Sequence, residues 1–155
     1  MQYALFIRPA ATIYDLPEKT RPGEDGQLLS AIGDEGLYGQ SCQVVEDPDG
    51  EGMVRVCTFY GYPGYVDRED LLFLTEEQLR AYLSAPSVMA ARETDLLTCP
   101  KVAGVRLLTV GRGSRLRLAP EGEPVEGWTR GLLADGRPAW AWNQSLEPLA
   151  WEEDA

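Results

Sequence analysis

Apolar and polar residues alternate along this chain in short runs. Tyr3, Leu5 and Ile7 alternate with their neighbours near the start. Val44-Val45 and Val54-Arg55-Val56 flank Glu46-Asp-Pro-Asp-Gly-Glu-Gly52, a turn-rich segment, and the three together predict a β-hairpin. With a side-chain period of two, Val54 and Val56 take one face of their strand and Met53, Arg55 and Cys57 the other. Further on, Leu116 and Leu118 alternate with Arg115 and Arg117, and Pro120-Glu-Gly-Glu-Pro124 supplies a matching turn before Trp128. One segment has a different period. Thr75-Glu-Glu-Gln78 is a capping-box pattern, Leu79, Tyr82 and Leu83 follow at helical spacing, and Ala85-Pro86 stops the run. The pattern predicts an all-β chain interrupted by one short helix over 75–85.

The chain also repeats itself. Gly61-Tyr-Pro63-Gly64-Tyr65-Val66, followed by Leu71, matches Gly136-Arg-Pro138-Ala139-Trp140-Ala141, followed by Leu146, at a constant offset of 75 residues. The same offset pairs Met53 with Trp128 and Arg55 with Arg130, and one residue of slippage pairs Gly39 with Gly113. A repeat of this length seen twice predicts a duplicated unit. The expected division is 1–74 for the first unit, 75–87 for a helical linker, 88–151 for a divergent second unit and 152–155 for a tail. Sixteen glycines and eleven prolines agree with many turns, and short strands with frequent turns suit small barrels.

Composition narrows the chemistry. The chain of 155 residues carries a net charge of −11, which disfavours nucleic acid and anionic lipid as partners. The charge is uneven: 13 acids face 5 bases in residues 1–74, and 10 face 8 in residues 88–155. There is no histidine, which removes Ser-His-Asp and Cys-His nucleophilic sites and most zinc or iron centres, so neither a metal nor a cofactor is expected. Gly111-Arg-Gly113 lacks the third glycine and the following helix of a dinucleotide site. No run approaches the ~20 apolar residues of a membrane span. The first residues lack the basic region of a signal peptide, which leaves the compartment open.

The string Leu37-Tyr38-Gly39-Gln40, then Val44-Val45-Glu46, Gly52-Met53-Val54-Arg55-Val56, and Gly61-Tyr62-Pro63-Gly64-Tyr65-Val66 with Leu71, resembles a bacterial SH3 domain. Residues 88–150 resemble it less closely, with Ala139 at the place of Gly64 and Ala141 at that of Val66. The resemblance implies two SH3-like small barrels joined by a short helix. Tandem domains of this kind resemble the N-terminal half of NlpC-type cysteine peptidases, which cut γ-D-glutamyl-diamino acid bonds in peptidoglycan peptides. By that resemblance this chain is non-catalytic. It positions a C-terminal cysteine-peptidase domain that would begin where these residues end, and it helps to bind a peptidoglycan stem peptide. The alternative is a free-standing module that binds a protein or peptide.

Candidate ligand-binding residues are aromatic and acidic. Tyr60 and Tyr62 lie beside the Gly61 element, with Phe59 and Tyr65 near them, and Tyr14 and Tyr38 flank a long loop over 15–36. Tyrosine supplies flat contact area and a hydroxyl that can bond a peptide group. Asp15 opens the stretch Asp15-Leu-Pro-Glu-Lys-Thr-Arg-Pro-Gly-Glu-Asp-Gly-Gln27, whose acids are suited to an amine such as a free peptide N-terminus, or form a solvated acidic loop. The same resemblance implies a first-domain tyrosine framing the substrate pocket. Tyr65 and Trp140, at matched repeat positions, are expected to serve as barrel core or hinge residues. Arg112, Arg115 and Arg117 form a basic stripe that is either a solvated strand face or a dock for the acidic first unit or for an acidic partner. A hairpin pairing 45 with 54 also sets Cys42 opposite Cys57; bridges between adjacent strands are geometrically tight, so reduced, half-buried thiols are expected.

Overall fold

Val54 and Val56 turn inward and Arg55 outward from one strand, and this alternation builds the first of two sheets. The computed structural model describes residues 2–47 and 52–149. The middle of the predicted turn (48–51) and the predicted tail (152–155) lie outside the described residues. The first sheet draws on β1 (Gln2–Phe6), β2 (Ala10–Tyr14), β5 (Ile32–Leu37), β6 (Ser41–Glu46), β7 (Met53–Thr58), β8 (Pro63–Asp67) and β9 (Leu71–Thr75). A small hairpin, β3 (Thr20–Pro22) with β4 (Leu28–Ser30), projects between β2 and β5. Helix α1 (Glu76–Ser84) follows. The second sheet then uses β10 (Ser87–Ala90), β11 (Thr94–Leu97), β12 (Arg106–Val110), β13 (Arg115–Leu118), β14 (Trp128–Leu132), β15 (Pro138–Trp142) and β16 (Leu146–Pro148). The protein is an all-β, two-sheet fold with a single α-helix among the described residues.

The two sheets have one topology. Their strand orders are β5-β2-β8-β7-β6-β1-β9 and β12-β11-β15-β14-β13-β10-β16, every pairing antiparallel. Individual hydrogen bonds repeat as well. The Phe6 amide donates to Gln40 O at 3.0 Å, and the Ala90 amide to Ser114 O at 2.9 Å. Thr58 N bonds Tyr62 O at 2.9 Å, and Leu133 N bonds Arg137 O at 2.8 Å. Gly39 and Gly113 stand before β6 and β13 with φ of 83° and 90°. That conformation is strained for a side chain, which accounts for glycine at both repeat positions.

Each sheet encloses its own core. Phe6, Ile13, Val54, Val56, Val66 and Leu71 pack in the first, and Leu96, Val110, Leu116, Leu133, Ala139 and Ala141 in the second. Burying a side chain the size of Val, Leu or Phe contributes about 1.5–3 kcal/mol each. The junction between them is shared. Tyr38, at the end of β5, is 4% exposed and belongs to the second core, where its hydroxyl accepts the Ala134 amide at 2.8 Å. Ile7 packs there too.

The sequence reading is adjusted in three places. Tyr65 and Trp140 do not serve the cores: Val66 and Ala141 take the buried faces of β8 and β15, and the two aromatics are half-buried on the opposite faces. The segment 15–36 is not one long loop: it contains the β3–β4 hairpin and most of β5, which pairs with β2 along its length. Gly33, Asp34, Glu35 and Gly36 give β5 no strand-like composition. The register of the β6–β7 hairpin is also one residue off. Cys42 faces Thr58 and Gln43 faces Cys57, and Glu46 pairs with Arg55 beyond a bulge at Val44/Glu46, so the turn end of the hairpin is set further from the expected register than the rest. Cys42 and Cys57 therefore do not oppose each other.

Candidate functional site

Thr58-Phe-Tyr-Gly-Tyr62 turns the chain from β7 into β8. Gly61 takes a φ of 90°, its amide bonds Thr58 O at 2.9 Å, and the Thr58 hydroxyl accepts the Tyr62 amide at 2.8 Å. This tight turn aims Tyr60 and Tyr62 at the ends of β2 and β5. Phe59 meets Tyr60 edge-on, with ring centroids 5.1 Å apart.

Two tyrosine–carboxylate pairs result. The Tyr62 hydroxyl donates to Asp15 Oδ1 at 2.8 Å, and the Tyr60 hydroxyl to Asp34 Oδ2 at 2.6 Å. Gly33 lies between them: a methyl at its α-carbon would overlap both the Asp15 carboxylate and the Tyr62 hydroxyl. Burial and then the Asp34 hydrogen bond push the Tyr60 phenol up to about 12. The Tyr62 phenol is also raised, chiefly by its bond to Asp15. Both phenols are therefore donors at neutral pH to the two carboxylates, and the other Asp34 oxygen accepts the Glu35 amide at 2.8 Å. Tyr60 is 50% exposed.

Of the residues selected from sequence, the structure gathers Asp15, Tyr60 and Tyr62. Tyr14 ends β2, opposite Tyr65 on β8, next to Asp15 in the chain. Tyr38 stands apart, buried at the junction, where burial raises its phenol; its place at the end of β5 turns it toward the second core. Sequence reading missed Asp34 and Gly33, because they fall in a strand that reads as loop. The basic stripe divides. Arg115 is 3% exposed and stacks 4.6 Å from the Tyr82 ring, donating to Tyr82 O and Leu83 O at 3.2 Å; Arg117 lies 5.3 Å from the same ring. These two arginines dock onto helix α1, and Arg112 is exposed.

A second concavity of about 630 Å³ lies in the second sheet, lined by Glu93, Asp95, Arg106, Trp128 and Trp142 among others.

No protein-family model matches the chain. Among curated proteins it is 29% identical over 146 residues to dipeptidyl-peptidase 6 of Lysinibacillus sphaericus, covering 94% of this chain and 50% of that protein. The chain thus spans about half the length of the curated relative it matches. Among solved structures it is similar to an NlpC/P60 family protein from Bacillus cereus ATCC 10987, with a TM-score of 0.68 and 21% identity over 94% of this chain and 55% of that one. It is also similar to an NlpC/P60 endopeptidase from Photobacterium damselae subsp. piscicida, at a TM-score of 0.52 and 13% identity, covering 94% of this chain and 33% of that one. At these identities the structural likeness establishes the fold.

Proposed function

We propose that this chain is the paired SH3-like region of an NlpC/P60-type γ-D-glutamyl-diamino acid endopeptidase. In this reading it is non-catalytic, positions the peptidase domain, and frames the amine end of a peptidoglycan stem peptide with Asp15, Asp34, Tyr60 and Tyr62. The observation that carries the reading is the alignment of 94% of this chain with only half of its peptidase relative. The absence of histidine agrees, because histidine is the usual base of a cysteine nucleophile and this chain has none.

The rim chemistry favours an ammonium group. Its three N–H donors match carboxylate oxygens that the two phenols hold in place. A neutral acylated N-terminus keeps at most one donor and no charge there. The test is calorimetric titration with the tripeptide L-Ala-γ-D-Glu-diaminopimelate and its N-acetyl form. Acetylation should weaken binding about tenfold, the scale of one charge-assisted hydrogen bond, and Asp15→Asn with Asp34→Asn should abolish the difference. Equal affinity for both peptides, or no binding to either, overturns recognition at the rim. Positioning is tested separately. With an NlpC/P60 peptidase domain in the same polypeptide, deleting this region should lower kcat/KM for the free-amine peptide, and an unchanged value refutes it.

A further inference from the structure

The duplicated scaffold treats one position in two ways. In the first sheet Met53 pairs with Asp67, and Lys19 from the neighbouring segment closes over Asp67 at 3.3 Å. In the second sheet the matching residues are Trp128 and Trp142, again paired across β14 and β15. Nothing like Lys19 closes over them among the described residues. They line the open cleft of about 630 Å³, and Trp142 remains 48% exposed. That volume falls in the range of about 300–1,000 Å³ usual for small-molecule sites.

Charge is ordered along this cleft. Leu97 on β11 pairs with Trp140 on β15. Two residues away from that pair on each strand, antiparallel register brings Asp95 toward Trp142, with Glu93 two residues further on. The other edge of Leu97 pairs with Arg106. The Thr109 hydroxyl donates to Asp95 Oδ1 at 2.6 Å and fixes that carboxylate. Arg106 makes no ion pair with Glu93 or Asp95 among the described residues, although all three line one cleft. One end thus combines two carboxylates with indole rings, whose electron-rich faces attract cations. The other end carries a guanidinium suited to a carboxylate.

We propose that this cleft is a second binding site, specific for a small zwitterion: an amino-acid derivative or short peptide with its ammonium between Glu93, Asp95 and Trp142 and its carboxylate on Arg106. The site is separate from the tyrosine–carboxylate rim and does not depend on the function proposed for that rim.

The test is a tryptophan-fluorescence titration of the full chain carrying Asp15→Asn and Asp34→Asn, which silences the rim. The probes are the dipeptide Ala-Lys, its C-terminal amide, and chitotriose as a neutral sugar. Saturable binding of Ala-Lys is expected, about tenfold weaker for the amide, the scale of one charge-assisted contact. Arg106→Gln should remove the preference for the free carboxylate, and Trp142→Ala should abolish binding. Both side chains are exposed, so both variants should keep the parent melting temperature. No saturable change, equal binding of dipeptide and amide, or a preference for chitotriose overturns the proposal.

Discussion

The Arg115 guanidinium lies 4.6 Å from the centre of the Tyr82 ring, and the Tyr82 hydroxyl donates to Gly39 O at 2.5 Å. Three segments meet in that contact: β13 of the second sheet, helix α1, and the turn before β6 of the first. The Arg115 amide also bonds Tyr38 O at 2.9 Å. The guanidinium reaches the last carbonyls of α1, where a cation complements the helix dipole. Arg115→Met should therefore cost about 2–4 kcal/mol, the usual loss for a buried charged hydrogen-bonding group and its partners. Tyr82→Phe should cost about 1 kcal/mol, one hydrogen bond. Urea unfolding measures both, and two separate transitions in Arg115→Met would mark the junction as the coupling between the sheets. A wild-type midpoint for Arg115→Met would refute the assignment.

Gly39 and Gly61 both require positive φ, but their surroundings differ. A β-carbon at Gly39 would lie 2.5 Å from Arg115 O, whereas one at Gly61 would meet nothing within 4 Å. Gly61→Ala should then cost only the backbone strain, about 1–2 kcal/mol. Gly39→Ala should cost distinctly more, because a backbone carbonyl of the second sheet must also move. Thermal melts of the two variants side by side test the difference, and equal melting temperatures would show that the junction yields at Gly39.

The register of β6 against β7 makes a prediction about thiols. It places Cys42 against Thr58, inside the first core, and leaves Cys57 half-buried on the other face of β7. Cys99 is also half-buried. Under native conditions an aromatic disulfide reagent should modify Cys57 and Cys99 and spare Cys42 until the protein unfolds, since reactivity follows access as well as thiolate character. Fast native labelling of Cys42, or an oxidised peptide linking Cys42 to Cys57, would contradict the register.

Much of this fold is legible in local chemistry. Thr75 and Gln78 form the reciprocal cap that their spacing predicts, with bonds of 2.9 and 3.1 Å. The offset of 75 between Gly61-Tyr-Pro63 and Gly136-Arg-Pro138 reappears as the same turn and strand in each sheet. Legibility fails where tertiary pairing overrides composition. The glycines and acids of β5 have no strand propensity, and they form a strand because β2 offers its edge. That strand brings Asp34 to Tyr60, so half of the rim was hidden by the same override. Tyr38 fails for a related reason: an aromatic beside a loop in sequence becomes core when a second sheet covers it.

Alkaline titration probes the rim itself. Tyr60 is held near 12 by burial and by Asp34, while unfolded tyrosine ionises near 10. Between those values the unfolded chain has released a proton that the folded chain retains. The stabilisation from this group is thus complete below pH 10 and is lost as pH rises toward 12. Tyr62 adds to the same trend, its phenol raised mainly by the bond to Asp15. Ultraviolet absorbance of tyrosinate should show a late ionisation step that Tyr60→Phe removes. Asp34→Asn should move that step to lower pH, because the carboxylate that opposes ionisation is gone, and should leave the Tyr62 step nearly in place. Urea midpoints across the same window should fall less steeply in Tyr60→Phe than in the parent chain. A Tyr60 step at the ordinary value in the parent would mean that the Asp34 bond does not persist in solution, and the carboxylate half of the rim would lose its support.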